Sequence, residues 1–273
     1  MEDENRSMTQ KLRLLAVLAH PDDESLGFGG TLAKYAAEGV ETYLVTATRG
    51  ERGRFGRDGN GADPAETGRA REAELKAAAQ VLGIRQVSVL GYPDGAVDKV
   101  EAAIAIGAIA AHIRRIRPDA IITFGPDGAY GHPDHIAISQ FATASAVCAA
   151  DLDGQSAPPH RVSKLYYLAW GANKWAAYEA AFRKLTSMVD GVQRQATPWP
   201  DWAITTGIDT SNYWPVVWKA VRCHQTQISI YERLGDLTEE QHKALWGSQE
   251  FYRAFSSVNG GRNPETDLFE GLR

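Results

Sequence analysis

Short apolar runs alternate with longer segments of helical spacing from about residue 12 to residue 170. The apolar runs predict five β-strands: Leu12–Ala19, Val40–Thr48, Val87–Leu90, Ala120–Phe124 and Leu165–Trp170. The segments between them predict four helices: Ser25–Glu38, Glu66–Leu82, Asp98–Arg117 and Asp134–Ala150. This alternation predicts an α/β fold in which a mostly parallel sheet carries helices on both faces.

Two polar motifs follow the first and the fourth predicted strands. His20-Pro21-Asp22-Asp23-Glu24 follows the first strand, and His132-Pro133-Asp134-His135 follows the fourth. In a doubly wound sheet of strand order 3-2-1-4-5 these two strands are neighbours, and ligands bind where the winding reverses. We therefore expect the two motifs to face each other across one crevice, although they are far apart in the sequence.

The residue types in these motifs predict a metal site. A catalytic zinc site usually has three protein ligands and one open position, and His20, Asp23 and His135 are the best set. Only two cysteines occur in the chain, which excludes a cysteine-rich zinc site. Two histidines and one carboxylate also suit iron(II), so iron stays an alternative to zinc, with about one divalent ion per chain in either case.

The side chains left over in the motifs suit proton transfer and charge stabilisation. Asp22 adjoins a ligand in sequence and is the natural general base for an attacking water molecule. His132, if protonated, can donate a hydrogen bond to an oxyanion, and Asp134 is close enough to orient or charge it. For Glu24 we expect a structural role at the start of the next helix, where it interacts with the helix dipole. This set of groups suits hydrolysis better than oxygen chemistry.

Composition and charge are those of an ordinary globular protein. The 273 residues include 29 basic and 34 acidic side chains, a net charge of −5, so no nucleic-acid partner is expected. The longest apolar run, residues 102–111, is too short to span a bilayer, and residues 1–10 do not resemble a signal peptide. We expect a cytoplasmic, reduced protein with no membrane partner.

We predict one domain over residues 11–273, preceded by a disordered polar tail at residues 1–10. Residues 171–273 form a helical, aromatic-rich C-terminal portion, which we expect to extend the sheet as a mixed addition. Its six tryptophans are Trp175, Trp199, Trp202, Trp214, Trp218 and Trp246. Several are expected in the core or at subunit contacts, which leaves a homo-oligomer open, and one or two can stack on a sugar ring.

A Gly- and Arg-rich segment, residues 49–61, follows the second strand. Such a segment is either a lid over the crevice or an exposed loop. Its four arginines, which leave room for a phosphate or carboxylate on the substrate, are Arg49, Arg52, Arg54 and Arg57. The GxGxxG, P-loop and GxSxG motifs are absent from the sequence, which argues against NAD binding, P-loop chemistry and a serine nucleophile.

With these motifs the chain resembles the PIG-L/LmbE-like zinc-dependent N-deacetylase family. The paired HPDDE and HPDH motifs are the main marks of the resemblance, which covers about residues 12–228. The secondary marks are Thr48–Gly53, Arg71–Leu75, Tyr92–Gly95 and His224–Gln227. The family's glycine loop is usually short and acidic, so the arginine-rich segment here is a departure from it.

The resemblance implies a Rossmann-like three-layer sandwich and hydrolysis of an N-acyl group, typically acetyl, from a glucosamine-containing molecule. It also implies roles for individual residues: His20, Asp23 and His135 as metal ligands, Asp22 as general base, His132 as oxyanion-stabilising group, Tyr130 as a mobile group that helps polarise the carbonyl, and Arg71, Asp94 and Glu51 as sugar-binding groups.

The sequence therefore predicts a zinc-dependent hydrolase that acts on the amide of a small N-acylated amino sugar. Two alternatives stay open. One is an amidase that releases a larger acyl group or acts on a thiol conjugate, and the other is a non-catalytic sugar-binding relative. The presence of both Asp22 and His132 argues against the second alternative, because binding alone would not require them.

Overall fold

The computed structural model describes residues 11–55, 63–151, 157–182, 186–189, 191–195, 197–259, 261 and 263–273. The tail predicted at residues 1–10 lies outside these residues, as does Arg57 of the arginine-rich segment.

A seven-stranded sheet of order β3-β2-β1-β4-β5-β9-β8 forms the centre of the molecule. Its strands are β1 (Arg13–Leu18), β2 (Glu41–Thr46), β3 (Gln86–Val89), β4 (Ala120–Thr123), β5 (Lys164–Leu168), β8 (Thr206–Asp209) and β9 (Ser248–Ser256). The first five are mutually parallel, which confirms the predicted order 3-2-1-4-5. Strand β9 then pairs antiparallel with β5, and β8 pairs antiparallel with β9, which makes the predicted C-terminal extension mixed.

The chain also forms the helices α1 (Asp23–Leu26), α2 (Gly29–Ala37), α3 (Pro64–Leu82), α4 (Ala102–Ile116), α5 (Gly128–Gly131), α6 (Pro133–Cys148), α7 (Ala172–Phe182), α8 (Trp214–Val221), α9 (Ile228–Tyr231) and α10 (Glu239–Trp246), and a separate hairpin of β6 (Thr186–Val189) and β7 (Val192–Gln195). Helices α2 and α3 pack with α8, and α4 packs with α6. Because the winding of the parallel strands reverses between β1 and β4, these two groups cover opposite faces of the sheet.

The helix predicted over Ser25–Glu38 is two helices, which was not expected. Helix α1 ends at Leu26 with Gly27 as its C-cap, and α2 begins at Gly29. A Cβ atom on Gly30 would lie 2.8 Å from the Cβ of Thr210, so the start of α2 needs glycine to approach the segment before α8. The break separates α1, which carries Asp23 and Glu24, from the longer helix that packs on the sheet.

The position of β1 in the core explains why its sequence from residue 14 to residue 18 is an unbroken apolar run. Residues 14–18 of β1 have no exposed surface, as expected for a central strand covered on both faces. The C-terminal aromatic residues divide: Trp246 is fully buried, whereas Trp202 is 81% exposed. Among the described residues, no helix is both long and apolar enough to cross a membrane.

Strands β1 and β4 are adjacent and parallel, with Leu14 opposite Ala120 and Ala16 opposite Ile122. Their carboxyl ends therefore meet at one edge of the sheet. The HPDDE segment leaves β1 there, and the HPDH segment begins α6 a few residues after β4. The fold thus brings the two motifs together as the strand order predicted.

Candidate active site

The three side chains predicted as metal ligands converge in the crevice. Nδ1 of His20 lies 3.2 Å from Nε2 of His135, which in turn lies 3.4 Å from Oδ1 of Asp23. Nδ1 of His20 and Oδ2 of Asp23 are 3.7 Å apart. All three residues are buried.

These separations fit a shared tetrahedral cation. Ligand atoms about 2.0–2.1 Å from a zinc ion at tetrahedral angles would be roughly 3.3 Å from each other. The two facing ring nitrogens either share a single proton or both direct lone pairs at a cation. A second group of metal-ligating side chains also exists, His20 with His132 and Asp134, but the oxygens of Asp134 already accept hydrogen bonds from three donors.

Asp134 holds the imidazole of His20 in place. Its Oδ2 lies 3.1 Å from Nε2 of His20 and also accepts the backbone N–H of Gly95, while Oδ1 accepts the N–H of Val97. A carboxylate behind a ligating histidine fixes the ring orientation and tautomer, so that Nδ1 faces the cluster. The carboxylate of Asp134 therefore contacts His20 directly, whereas its backbone N–H binds Nδ1 of His132. Its negative charge favours protonation of His132 but does not outweigh the effect of burial.

His20 also lies 3.1 Å from Oδ1 of Asp94, so Nε2 faces two carboxylates. Burial lowers the pKa of His20, but hydrogen bonds to Asp134 and Asp94 and the charge of Asp23 outweigh it and raise the pKa to about 10. Burial likewise opposes ionisation of Asp94, yet its hydrogen bond with His20 and the N–H of Arg52 lower its pKa to about 2. For Asp23 burial prevails and raises the pKa to about 7. A cation would neutralise this concentration of negative charge.

Asp22 has different partners from Asp23, although the two are adjacent. Its Oδ2 accepts hydrogen bonds from Nη2 of Arg71 at 3.0 Å and from the hydroxyl of Tyr231 at 2.6 Å. Its φ of 109° lies in the left-handed region, a conformation that costs an aspartate on the order of 1–3 kcal/mol. The surrounding hydrogen bonds keep the backbone in this conformation, which separates Asp22 from the ligand set.

A buried ion pair supports the same turn and was not anticipated from the sequence. Oε1 of Glu24 lies 2.9 Å from Nε2 of His224, and Oε2 accepts the backbone N–H of Asp22. Burial disfavours both charges, but their mutual attraction lowers the pKa of Glu24 and raises that of His224. Glu24 lies in the first turn of α1 as expected, but its carboxylate binds His224. His224 was noted in the sequence only as part of the late His224–Gln227 mark, which does not indicate its partner.

The imidazole of His132 is the N-cap group of α6. Nδ1 accepts the backbone N–H of Asp134 at 3.2 Å, so in the neutral ring the proton sits on Nε2. Burial lowers the pKa of His132 to about 4, and the charge of His20 acts in the same direction. The role predicted for His132 assumes a protonated ring, whereas the structure favours a neutral ring that still has one N–H to donate.

Tyr130 lies beside these histidines on α5, where Ala129 has a φ of 64°. Its ring meets that of His135 edge-on, with the centroids 5.2 Å apart. We call His20, Asp23 and His135 the ligand cluster. The other face of this cluster is apolar, because the ring of Phe124 stacks on His135 with the centroids 3.9 Å apart. Burial and then the charge of His20 hold the pKa of His135 well below its usual value, so its ring is neutral.

A polar pocket of about 310 Å³ opens on one side of the ligand cluster. It is lined by His20, Asp22, Asp23, Arg52, Gly53, Arg71, Asp94, Gly95, Tyr130 and His132. Glu51 is not among them, and its carboxylate accepts the backbone N–H of Asp94. Arg71 is 4% exposed and donates to the carbonyls of Gly50 and Pro21 as well as to Asp22. Arg49 pairs with Glu72 outside this pocket, so of the described arginines in the 49–61 segment only Arg52 lines it.

A second cavity, of about 250 Å³, lies on the other side of the cluster. Its lining shares Asp22, Asp23 and Tyr130 with the polar pocket. Apart from these and from His135 and Tyr231, the lining is apolar or aromatic. The ligand cluster therefore lies between one polar and one apolar space.

Comparisons with known proteins find a matching family model, related sequences and similar folds. A family model described as PIG-L: GlcNAc-PI de-N-acetylase matches residues 15–146. The chain is 36% identical, over 95% of its length and 89% of the relative, to a 1D-myo-inositol 2-acetamido-2-deoxy-alpha-D-glucopyranoside deacetylase of Streptomyces griseus. It is 30% identical, over 97% of its length and 99% of the relative, to a mycothiol S-conjugate amidase of Streptomyces coelicolor.

Among solved structures, the fold is similar to that of the N,N'-diacetylchitobiose deacetylase of Pyrococcus horikoshii. The TM-score is 0.66 at 19% identity, with 97% of this chain and 92% of that one covered. At this identity the likeness concerns the fold alone.

Proposed function

The chain belongs to the PIG-L/LmbE family of deacetylases, and from this premise we propose that it is a metal-dependent hydrolase that removes an N-acyl group from a small amino-sugar-containing molecule. The observation that carries the proposal is the convergence of His20, Asp23 and His135 beside a separately held Asp22. Ligand set and general base are both needed for hydrolysis, whereas a binding protein would need neither arrangement.

We propose zinc as the metal, held by Nδ1 of His20, Nε2 of His135 and Asp23, with iron(II) as the alternative. When bound, such an ion would polarise the amide carbonyl and favour ionisation of a water molecule. Asp134 acts as a positioning residue for His20 through its 3.1 Å contact with Nε2.

Asp22 is the general base in this proposal. It takes the proton of the attacking water and returns it to the amine nitrogen as the amide bond breaks. Arg71 and Tyr231 donate to a single oxygen, Oδ2, and so leave Oδ1 for the proton. Both residues thus position Asp22, which differs from the sugar-binding role first expected for Arg71.

His132 and Tyr130 donate hydrogen bonds to the carbonyl oxygen as negative charge develops on it. His132 does so through Nε2, because its Nδ1 is occupied by the backbone N–H of Asp134. A neutral imidazole can serve as such a donor. Burial raises the pKa of Tyr130, so its hydroxyl keeps its proton and can donate.

The polar pocket receives the amino sugar. Asp94 has an ionised carboxylate at the pocket wall, and Arg52 lines the same pocket. Together they offer acceptors and donors to sugar hydroxyls. Glu51 keeps Asp94 in position by accepting the backbone N–H of Asp94.

Cys148 and Cys223 are free thiols, which supports our proposal of a cytoplasmic, reducing location.

The test is amine release from a panel of N-acetylglucosamine derivatives: the free sugar, its 6-phosphate, its inositol glycoside and N,N'-diacetylchitobiose. We expect release from at least one of them, its loss with a chelator and its recovery on adding zinc. Asp22→Asn should lose turnover, whereas the matched control Asp267→Asn, whose carboxylate binds Tyr35 instead, should not. Absence of amine release from the whole panel in the zinc-loaded protein would contradict the proposal.

A further inference from the structure

The apolar cavity beside the ligand cluster is larger than an acetyl group needs. Its wall away from the metal ligands consists of Leu26, Phe124, Leu168, Trp170, Tyr178 and Phe182. An engineered apolar cavity of about 150 Å³ is enough to hold benzene. The cavity of about 250 Å³ here therefore has room for more than six carbon atoms.

The polarity of the cavity changes from one end to the other. Its ionisable carboxylates, Asp22 and Asp23, lie at the end that it shares with the polar pocket. At the other end the one hydroxyl, that of Tyr178, donates to the carbonyl of Leu26 at 2.6 Å and so needs no partner inside the cavity. A ligand with a polar head and an apolar tail would fit in one orientation only.

The aromatic wall is built before any ligand arrives. The rings of Trp170 and Tyr178 stack with centroids 4.3 Å apart, and Tyr178 stacks on Phe182 at 5.8 Å. Trp170 and Tyr178 are buried, so their rings are held by packing on both sides. A preformed apolar wall binds hydrocarbon without the entropic cost of ordering it.

We propose that this cavity receives the acyl part of the substrate, and that the enzyme hydrolyses acyl groups of about six to eight carbons, alkyl or aromatic, in preference to acetyl. The inference rests on the proposed function, because the scissile amide must lie at Asp22, Asp23 and Tyr130, where the two spaces meet. The amino sugar then occupies the polar pocket, and the substituent on the other side of the carbonyl extends along Leu168 and Trp170.

The direct test is a series of glucosamines with acetyl, butanoyl, hexanoyl and octanoyl groups on the nitrogen, hydrolysed by the zinc-loaded protein. Each buried methylene is worth about a fourfold gain in binding. We expect kcat/KM to rise at least tenfold from acetyl to hexanoyl. A steady fall from acetyl onwards would overturn the inference and leave the proposed function intact.

Two variants localise the effect to the cavity. Leu168→Trp fills the space and should reverse the preference towards short chains, whereas Phe182→Ala enlarges it and should shift the optimum to longer ones. Ile104→Trp, at a position 58% exposed on α4, is the matched control and should keep the wild-type order. An unchanged chain-length order in both cavity variants would overturn the assignment of this cavity to the acyl group.

Product binding separates this inference from the proposed function. By calorimetry, octanoate should bind the zinc-loaded wild-type protein at least tenfold more tightly than acetate does. If none of the glucosamines is hydrolysed but octanoate is preferred, the proposed function fails while the apolar-tail site stands. Equal affinity for acetate and octanoate refutes the site, and it does so even if Leu168→Trp does not fold.

Discussion

Asp134 should govern metal affinity through His20, and the replacement Asp134→Asn tests this. The carboxylate accepts from Nε2 of His20 and from the N–H groups of Gly95 and Val97. Asparagine has one acceptor oxygen and one NH₂ group. The NH₂ group must take the place of Oδ2, which faces His20 and Gly95, or of Oδ1, which faces Val97. In either orientation the NH₂ group, a donor, faces another N–H donor. A hydrogen bond involving a charged group contributes about 1.5–3 kcal/mol, and a partner behind a ligating histidine typically changes metal affinity 10–100-fold.

We therefore expect Asp134→Asn to weaken zinc binding by about 10–100-fold, measured by competition with a chromogenic chelator. Asp267→Asn, which makes the same chemical change at a carboxylate bound to Tyr35, should bind zinc as wild type does. If Asp134 instead served His132, its replacement would lower kcat and leave zinc affinity unchanged. That outcome would refute the assignment of Asp134 to His20.

Three further predictions concern the general base and the C-terminal part of the fold. Asp22→Asn should keep its zinc, as measured by elemental analysis, yet lose kcat by about 10²-fold or more because the base is gone. Tyr231→Phe removes the 2.6 Å hydrogen bond to Asp22, so kcat should fall about tenfold with little change in KM or zinc content. Burial alone would raise the pKa of Glu265, but hydrogen bonds from Asn259, Lys164 and other donors outweigh it, and the net result is a pKa lowered from 4.5 to about 2. The ionised carboxylate therefore contributes fully to stability above pH 4.5, and this contribution is lost as the pH falls towards 2. Between pH 6 and pH 3 the free energy of unfolding, measured with urea, should fall by about 2 kcal/mol more in wild type than in Glu265→Gln.

The sequence predicted the parallel half of the sheet because its signals are local. Short apolar runs separated by helical spacing define β1 to β5, and the doubly wound order then follows from general rules of chain connection. Placing His20 and His135 in one crevice needed only that β1 and β4 be neighbours. This is why two motifs far apart in the sequence were sufficient to predict the metal site.

Contacts made by long-range packing were not predictable in the same way. The pairing of Glu24 with His224 and of Asp22 with Tyr231 joins residues about two hundred positions apart, and no local pattern specifies either contact. The partner of Asp134 was assigned by sequence proximity to His132, whereas the fold turns its carboxylate to His20. The apolar cavity was not predicted either. Its lining includes Phe124, Trp170 and Tyr178, and nothing in the sequence distinguishes these aromatic residues from ordinary core residues.

The central claim is that one ion held by His20, Asp23 and His135 is needed for hydrolysis of an N-acyl amino sugar. The most direct measurement is a titration of chelator-treated protein with zinc, in which amine release and bound metal are followed together. We predict that activity rises in proportion to bound zinc and reaches its plateau at about one ion per chain, and that His135→Ala binds little zinc and stays inactive. Full activity in the metal-free protein, or full zinc occupancy in His135→Ala, would contradict the account.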